Sequence, residues 1–264
     1  MGGDKVQRER ATIKAAGREL AVQRLWPDGA ADGPTVVFLH EGLGCIALWK
    51  DFPSRLCARL GLPGLVYDRW GYGQSEPLDR PRTTSYLHDE ARLFLPALLE
   101  QVDVTRSILI GHSDGGSIAL LYAAAFPSAP AAIVTEAAHV FVEDVTLAGI
   151  QAAGVAFATT DLPWRLARYH GAKTESIFKA WHDGWRSPEF RSWNIEAELP
   201  RIICPTLVLQ GVNDEYGTTA QVEAIVRGVS GPVRSELLPD CGHAPHHEAG
   251  QLTLDLIADF VGAL

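Results

Sequence analysis

Arg106-Ser107-Ile108-Leu109-Ile110-Gly111-His112-Ser113-Asp114-Gly115-Gly116 is the stretch on which the reading of this chain turns. Its first five residues read as a short buried strand. Gly116 to Phe126 is small and apolar and reads as a helix, which Pro127 ends. Between them lies G-x-S-x-G, Gly111 to Gly115. A serine on a sharp strand-to-helix turn projects its hydroxyl out of the fold, and small neighbours permit the tight backbone that turn needs. The bare pattern is weak evidence. With a strand before it and a helix after it, the pattern points to Ser113 as a nucleophile.

An activated serine needs a base, and the base needs a group to orient it. Pro205 to Gly211 reads as a buried strand, and Asp214 follows it. Val233 to Leu238 reads as another, followed by Pro239-Asp240-Cys241-Gly242-His243. Each candidate lies just past the C-terminal end of a strand, where open α/β sheets place their sites. Ser113, Asp214 and His243 are therefore the expected catalytic residues.

Two further motifs precede these. Val36-Val37-Phe38-Leu39-His40 runs into Glu41-Gly42-Leu43-Gly44, and Asp68-Arg69-Trp70-Gly71-Tyr72-Gly73-Gln74-Ser75 reads D-x-x-G-x-G-x-S. With the serine turn, the acid loop and the histidine loop in this order, the chain resembles the α/β-hydrolase family from about the first predicted strand to the C-terminus. The resemblance implies a mostly parallel, doubly wound sheet. It also implies a helical cap inserted between the sixth and seventh strands, here 139–199, with 1–138 and 200–264 forming the core. The implied oxyanion donors are the backbone N–H groups of Gly42 and Asp114.

The implied activity is hydrolysis of a carboxylic ester or lactone, with a small-molecule substrate and no cofactor. Glu41 to Gly44 together with Ser113 to Gly116 is similar to esterases that open macrolide lactones. The alternatives are a C–C bond hydrolase acting on a ring-cleavage diketone, a cofactor-free perhydrolase or haloperoxidase, and a receptor-like relative with a slow triad. Many members have glycine directly after the histidine. Here Glu41 intervenes, either to meet a polar part of the substrate or a water, or to pair with an arginine or face solvent. Asp114 either accepts a hydrogen bond from a cap residue or the substrate, or packs at the turn.

The 264 residues suffice for one α/β domain with an insertion, and 47% are apolar. A net charge of −9 argues against a nucleic-acid surface or an anionic membrane as partner. No basic start followed by an apolar segment is present, so the expected location is the cytoplasm, with Cys45, Cys57, Cys204 and Cys241 as reduced thiols.

Along the chain, strands are expected at Arg8–Ile13, Glu19–Leu25 and Ala131–Thr135. Helices are expected at Leu48–Leu60, Ser85–Val102 with a kink or split at Pro96, Thr219–Val229 and Gln251–Leu264. The 139–199 span reads as short helices separated by Pro163, Gly171, Gly184 and Pro188. It carries Trp164, Trp181, Trp185 and Trp193, which either hold the cap together or line a roomy apolar pocket. Trp164, Trp181, Trp185, Glu41 and His139 are the expected substrate contacts. His40 and His112 are expected to brace loops. His243, His246, His247 and Glu248 invite a zinc reading, but His243 is needed as the base and Pro245 disrupts a shared helical face. His246 to Glu248 fits better as the first turn of the last helix, and no metal is expected.

Overall fold

Alternation along the strands builds two buried faces on one sheet. The computed structural model describes residues 5–264. Its strands are β1 Val6–Ala15, β2 Arg18–Pro27, β3 Thr35–Leu39, β4 Gly64–Tyr67, β5 Ser107–His112, β6 Pro130–Glu136, β7 Thr206–Gly211 and β8 Val233–Leu238. They lie in the order β1-β2-β4-β3-β5-β6-β7-β8. The β1–β2 and β2–β4 pairs are antiparallel and the rest parallel.

Val37, Leu39, Leu109, Ile133 and Val208 point to one face. There they meet Leu98, Ile118, Leu121 and Ile225 from helices α3 (Leu95–Gln101), α4 (Asp114–Ala125) and α8 (Thr219–Gly228). Val36, Phe38, Ile108, Ile110, Val134 and Leu209 point to the other. They pack on Leu56, Leu254 and Ile257 from α1 (Phe52–Leu60) and α10 (Gly250–Gly262). Each such side chain contributes roughly 1.5–3 kcal/mol on burial, and covering both faces is what a parallel sheet requires.

The first two strands extend beyond the expected limits. Ala16 and Gly17 both have positive φ, 47° and 77°, the backbone of a two-residue hairpin turn, and pairing then runs unbroken from Ala15↔Arg18 to Val6↔Pro27. Backbone pairing, not apolar alternation, sets those ends.

The 85–102 helix is divided. One turn, α2 Tyr86–Asp89, leads into a wider π turn, Glu90–Phe94, before α3 begins. Pro96 lacks an N–H and crowds the preceding turn, and the π turn accommodates both. The chain end also differs from expectation. Pro245–Glu248 forms its own short helix, α9, and α10 starts afresh at Gly250.

Between β6 and β7 lie α5 (Asp144–Thr159), α6 (Leu162–His170) and α7 (Thr174–Arg186). Two of the four expected separators do not separate. Pro163 sits in the first turn of α6, where a missing N–H costs nothing, and Gly184 lies inside α7. Gly171, at φ 57°, and Pro188, after the end of α7, do mark breaks. No single helix among the described residues is long and apolar enough to cross a membrane.

Candidate active site

Ser113 stands between β5 and α4 with φ 53° and ψ −116°, a backbone region that side chains other than glycine rarely enter. The strain is held by its surroundings. Ser113 N donates to Glu136 O at 2.8 Å, and a Cβ at Gly115 would collide with the carbonyl of Leu39, so only glycine lets α4 approach the sheet this closely. Ser113 Oγ then lies 3.0 Å from His243 Nε2, and His243 Nδ1 lies 2.8 Å from Asp214 Oδ1. Asp214 Oδ1 also accepts from Tyr216 N at 2.8 Å. Burial works to raise the Asp214 pKa, but the hydrogen bond and charge of His243 and the Tyr216 N–H bring it below the usual carboxylate value. The structure thus brings together all three residues expected to act.

The histidine loop is braced from outside the relay. Glu248 accepts from Gly242 N at 2.7 Å and from Ala244 N at 2.9 Å, gripping the main chain on either side of His243. His246 turns into the core, where its Nδ1 meets Glu136 Oε2 at 2.8 Å. Its ring packs on that of His247 at 4.2 Å, and among the described residues no three His, Cys, Asp or Glu side chains converge as a ligand set.

Gly42 and Asp114 line the same cavity as Ser113, and among the described residues neither main-chain N–H is engaged by another acceptor. Both are available to an oxyanion. The loop carrying Gly42 is fixed by two buried side chains. His40 Nε2 accepts from Arg69 N at 3.0 Å while Nδ1 donates to Glu41 O at 2.8 Å, which defines a neutral ring. Burial and the nearby Arg69 charge hold its pKa well below the ordinary value. Arg69, fully buried, donates through Nη2 to Glu41 O at 2.8 Å and to Asp114 Oδ2 at 3.1 Å.

Asp114 is therefore neither a free anion nor a direct cap contact. Its Oδ2 also accepts from Tyr86 Oη at 2.9 Å, and that hydroxyl accepts from Trp185 Nε1 at 2.8 Å. One chain of buried hydrogen bonds runs from the residue after Ser113 to α7. Glu41 does not pair with an arginine through its side chain. Its carboxylate, 28% exposed, faces His112 Nδ1 at 3.5 Å.

The cavity over Ser113 has a volume of about 220 Å³. Leu43, Ile150, Ala153, Leu162, Trp181, Trp185 and Tyr216 give it apolar walls, and Glu41, Thr146 and His139 supply polar atoms. His139 reaches the cavity with its ring 5.8 Å from that of His243; burial and the His243 charge lower its pKa. A larger groove of about 720 Å³, between the 78–84 loop and α7, contains none of the relay residues.

The expectation for Trp164 is corrected: the residue is 65% exposed and lines no part of the cavity. Leu162 and Leu166, four apart on α6, point inward, and a residue two positions on from Leu162 points the opposite way. That spacing is visible in the sequence. Phe178, Trp181 and Trp185 have the i, i+3, i+7 spacing of a single inward face of α7. Trp193 stacks on Phe190 at 5.4 Å inside the cap and stays out of the cavity.

The cavity is also smaller than expected. Trp181 lies so close over Gly42 that any Cβ there would strike its indole nitrogen, and Tyr86 draws Trp185 inward. These tryptophans fill the site instead of framing a roomy one. Arg69, Tyr86 and Tyr216 were not among the expected site residues, and Glu248 was expected only in the first turn of the last helix. Arg69 carried a signal as part of the D-x-x-G-x-G-x-S motif, and Glu248 as part of the His243–Glu248 cluster weighed as a metal site.

Residues 36–256 match the alpha/beta hydrolase family. The human protein named serine hydrolase BPHL is 28% identical over 202 residues, 75% of this chain and 68% of its own. A Danio rerio protein named sn-1-specific diacylglycerol lipase ABHD11 is 31% identical over 101 residues, 38% of this chain and 30% of its own. Among solved structures, VinJ has a TM-score of 0.73 at 24% identity, covering 97% of this chain and 99% of that one, a likeness of fold.

Proposed function

Because the chain belongs to the alpha/beta hydrolase family, we propose that it is a serine hydrolase that cleaves a carboxylic ester or lactone through an acyl-enzyme on Ser113. The observation that carries this reading is the unbroken hydrogen-bonded line Ser113 Oγ–His243 Nε2 and His243 Nδ1–Asp214 Oδ1 at the floor of a cavity. Ser113 Oγ attacks the carbonyl carbon while His243 Nε2 takes its proton. The carbonyl oxygen becomes an oxyanion within reach of the Gly42 and Asp114 N–H groups, each such donor being worth roughly 3 kcal/mol. The C–O bond breaks as His243 returns the proton to the leaving alcohol. Water then attacks the acyl-enzyme, His243 takes its proton, and Ser113 is regenerated with release of the acid. Asp214 keeps the Nδ1–H tautomer and stabilises the imidazolium.

A cavity near 220 Å³ lies below the range of about 300–1,000 Å³ of drug-sized ligand sites. With mainly apolar walls it suits a compact, apolar acyl or alcohol group in preference to an entire macrolide ring. The test is turnover against a panel of short and medium apolar esters, lactones and a ring-cleavage diketone, with fluorophosphonate labelling of the parent and Ser113→Ala. Turnover of medium esters with labelling lost in Ser113→Ala supports the reading. Turnover of the diketone alone would replace it with C–C bond hydrolysis.

A further inference from the structure

Behind the relay lies an ionisable pair that the acyl-transfer steps do not use. His112, the last residue of β5, faces an acceptor on each side. Its Nε2 lies 2.7 Å from the main-chain oxygen of His243, and its Nδ1 lies 3.5 Å from Glu41 Oε2. The latter is an ion-pair distance, not a short hydrogen bond, and Nδ1 has no hydrogen-bond partner among the described residues. A carbonyl only accepts, and so does a carboxylate. A neutral imidazole has one N–H and would turn a lone pair toward one of them; an imidazolium presents a proton to both.

The approach of Glu41 is built into the loop. A Cβ at Gly44 would strike Glu41 Oε2, so glycine there makes room for the carboxylate to fold back toward His112. His112 is 4% exposed. Besides Glu41 from the loop after β3, it faces Glu136 at the end of β6 and His243, His246 and His247 from the segment after β8. Glu136 is shared with His246, while burial and the His246 charge lower the His247 pKa to about 4. Burial would lower the His112 pKa as well, but the Glu41 and Glu136 carboxylates outweigh it and raise the value above 6.5. Burial likewise works to raise the Glu41 carboxyl, yet its contact with His112 holds it well below the usual range.

We propose that Glu41 and His112 form a carboxylate–imidazolium pair that positions the base, with His112 gripping the His243 carbonyl from behind and Glu41 tying that grip to the oxyanion loop. The role is positioning, since neither group hydrogen-bonds Ser113 Oγ or the His243 ring nitrogens, and it rests on the acyl-enzyme reading of Ser113. The pair exists below the folded pKa of His112 and is lost as pH rises through it. Serine reactivity therefore falls on the alkaline side as His112 loses its proton.

The test is the rate of fluorophosphonate inactivation between about pH 5 and about pH 10 for the parent, Glu41→Gln and His112→Gln. The expected parent profile has an alkaline limb. Glu41→Gln moves its alkaline limb toward lower pH by about 1–2 units, the effect of removing a nearby opposite charge. His112→Gln, which keeps a neutral donor toward the His243 carbonyl, abolishes the alkaline limb. A parent profile with no alkaline limb, or one alkaline limb shared by all three proteins, overturns the proposal. A histidine-ring NMR titration of the parent keeps the test independent of how the variants fold, and two ring protons on His112 near neutral pH are expected. A neutral His112 in a parent that labels fells this proposal alone. A doubly protonated His112 in a parent that never labels fells the acyl-enzyme reading and the positioning role with it.

Discussion

On the proposed acyl-enzyme route, Ser113, His243 and Asp214 contribute unequally at the residue scale. Ser113→Ala removes the attacking oxygen, so kcat should fall by several orders of magnitude. Asp214→Asn leaves the packing nearly unchanged but frees the imidazole tautomer, and kcat should fall by about 10⁴ while the fold survives by circular dichroism. Glu248 offers a subtler check, because it holds both N–H groups flanking His243. In Glu248→Gln one of the two acceptors becomes a donor. Glu248 lies at the surface, so the loss of one charge-assisted hydrogen bond should slow fluorophosphonate labelling severalfold with little change in KM. An unchanged labelling rate would show that the loop holds its place without Glu248.

Helix α7 is where the element scale matters, since it closes the cavity and is also tied to the core. Its Trp185 reaches Asp114 through Tyr86, all three being buried. Removing the Tyr86 hydroxyl leaves Trp185 Nε1 without a partner and Asp114 Oδ2 with Arg69 alone. Tyr86→Phe should therefore destabilise by about 1–3 kcal/mol in chemical denaturation and lower kcat more than it raises KM. Trp185→Phe should do less harm in the Tyr86→Phe background than in the parent, because the shared hydrogen bond is already gone. Additive effects would mean that α7 and the residue after Ser113 are uncoupled. Trp181 and Trp164 make a contrasting pair. Trp181→Ala should enlarge the cavity and extend turnover to bulkier esters, whereas Trp164→Ala should stay within about 0.5 kcal/mol of the parent and leave KM alone.

Over the whole molecule, several histidines are held in their neutral form, three of them buried. Burial lowers the pKa of His40, His139 and His170, while at His247, which lies at the surface, partial desolvation and the neighbouring His246 charge lower it to about 4. The unfolded chain takes up these protons near 6.5 and the folded chain does not. For His247 the folded state therefore loses stability as pH falls from about 6.5 toward 4, and it regains that stability above 6.5. His247→Asn should lose less Tm than the parent between about pH 7 and about pH 5 in a thermal scan. Equal losses would mean that His247 titrates alike in both states.

The local patterns carried the fold. Strand alternation and the glycines of the serine turn are properties of neighbouring residues, and a period of two or a sharp turn is written in adjacent positions. Chain order supplied the relay as well, because each member follows its own strand. Even the outward face of Trp164 was legible from its spacing against Leu162 and Leu166. The tertiary structure decided what those faces meet. Tyr86 reaches Asp114 across 28 residues, Trp185 reaches Tyr86 across 99, and His112 reaches the His243 carbonyl across 131. Periodicity tells which side of an element is buried. It does not tell which residue of a distant element lies opposite, because that depends on how sheet and helices pack. For that reason the small cavity, the buried Arg69 and the Glu41–His112 contact emerged only when the chain was folded.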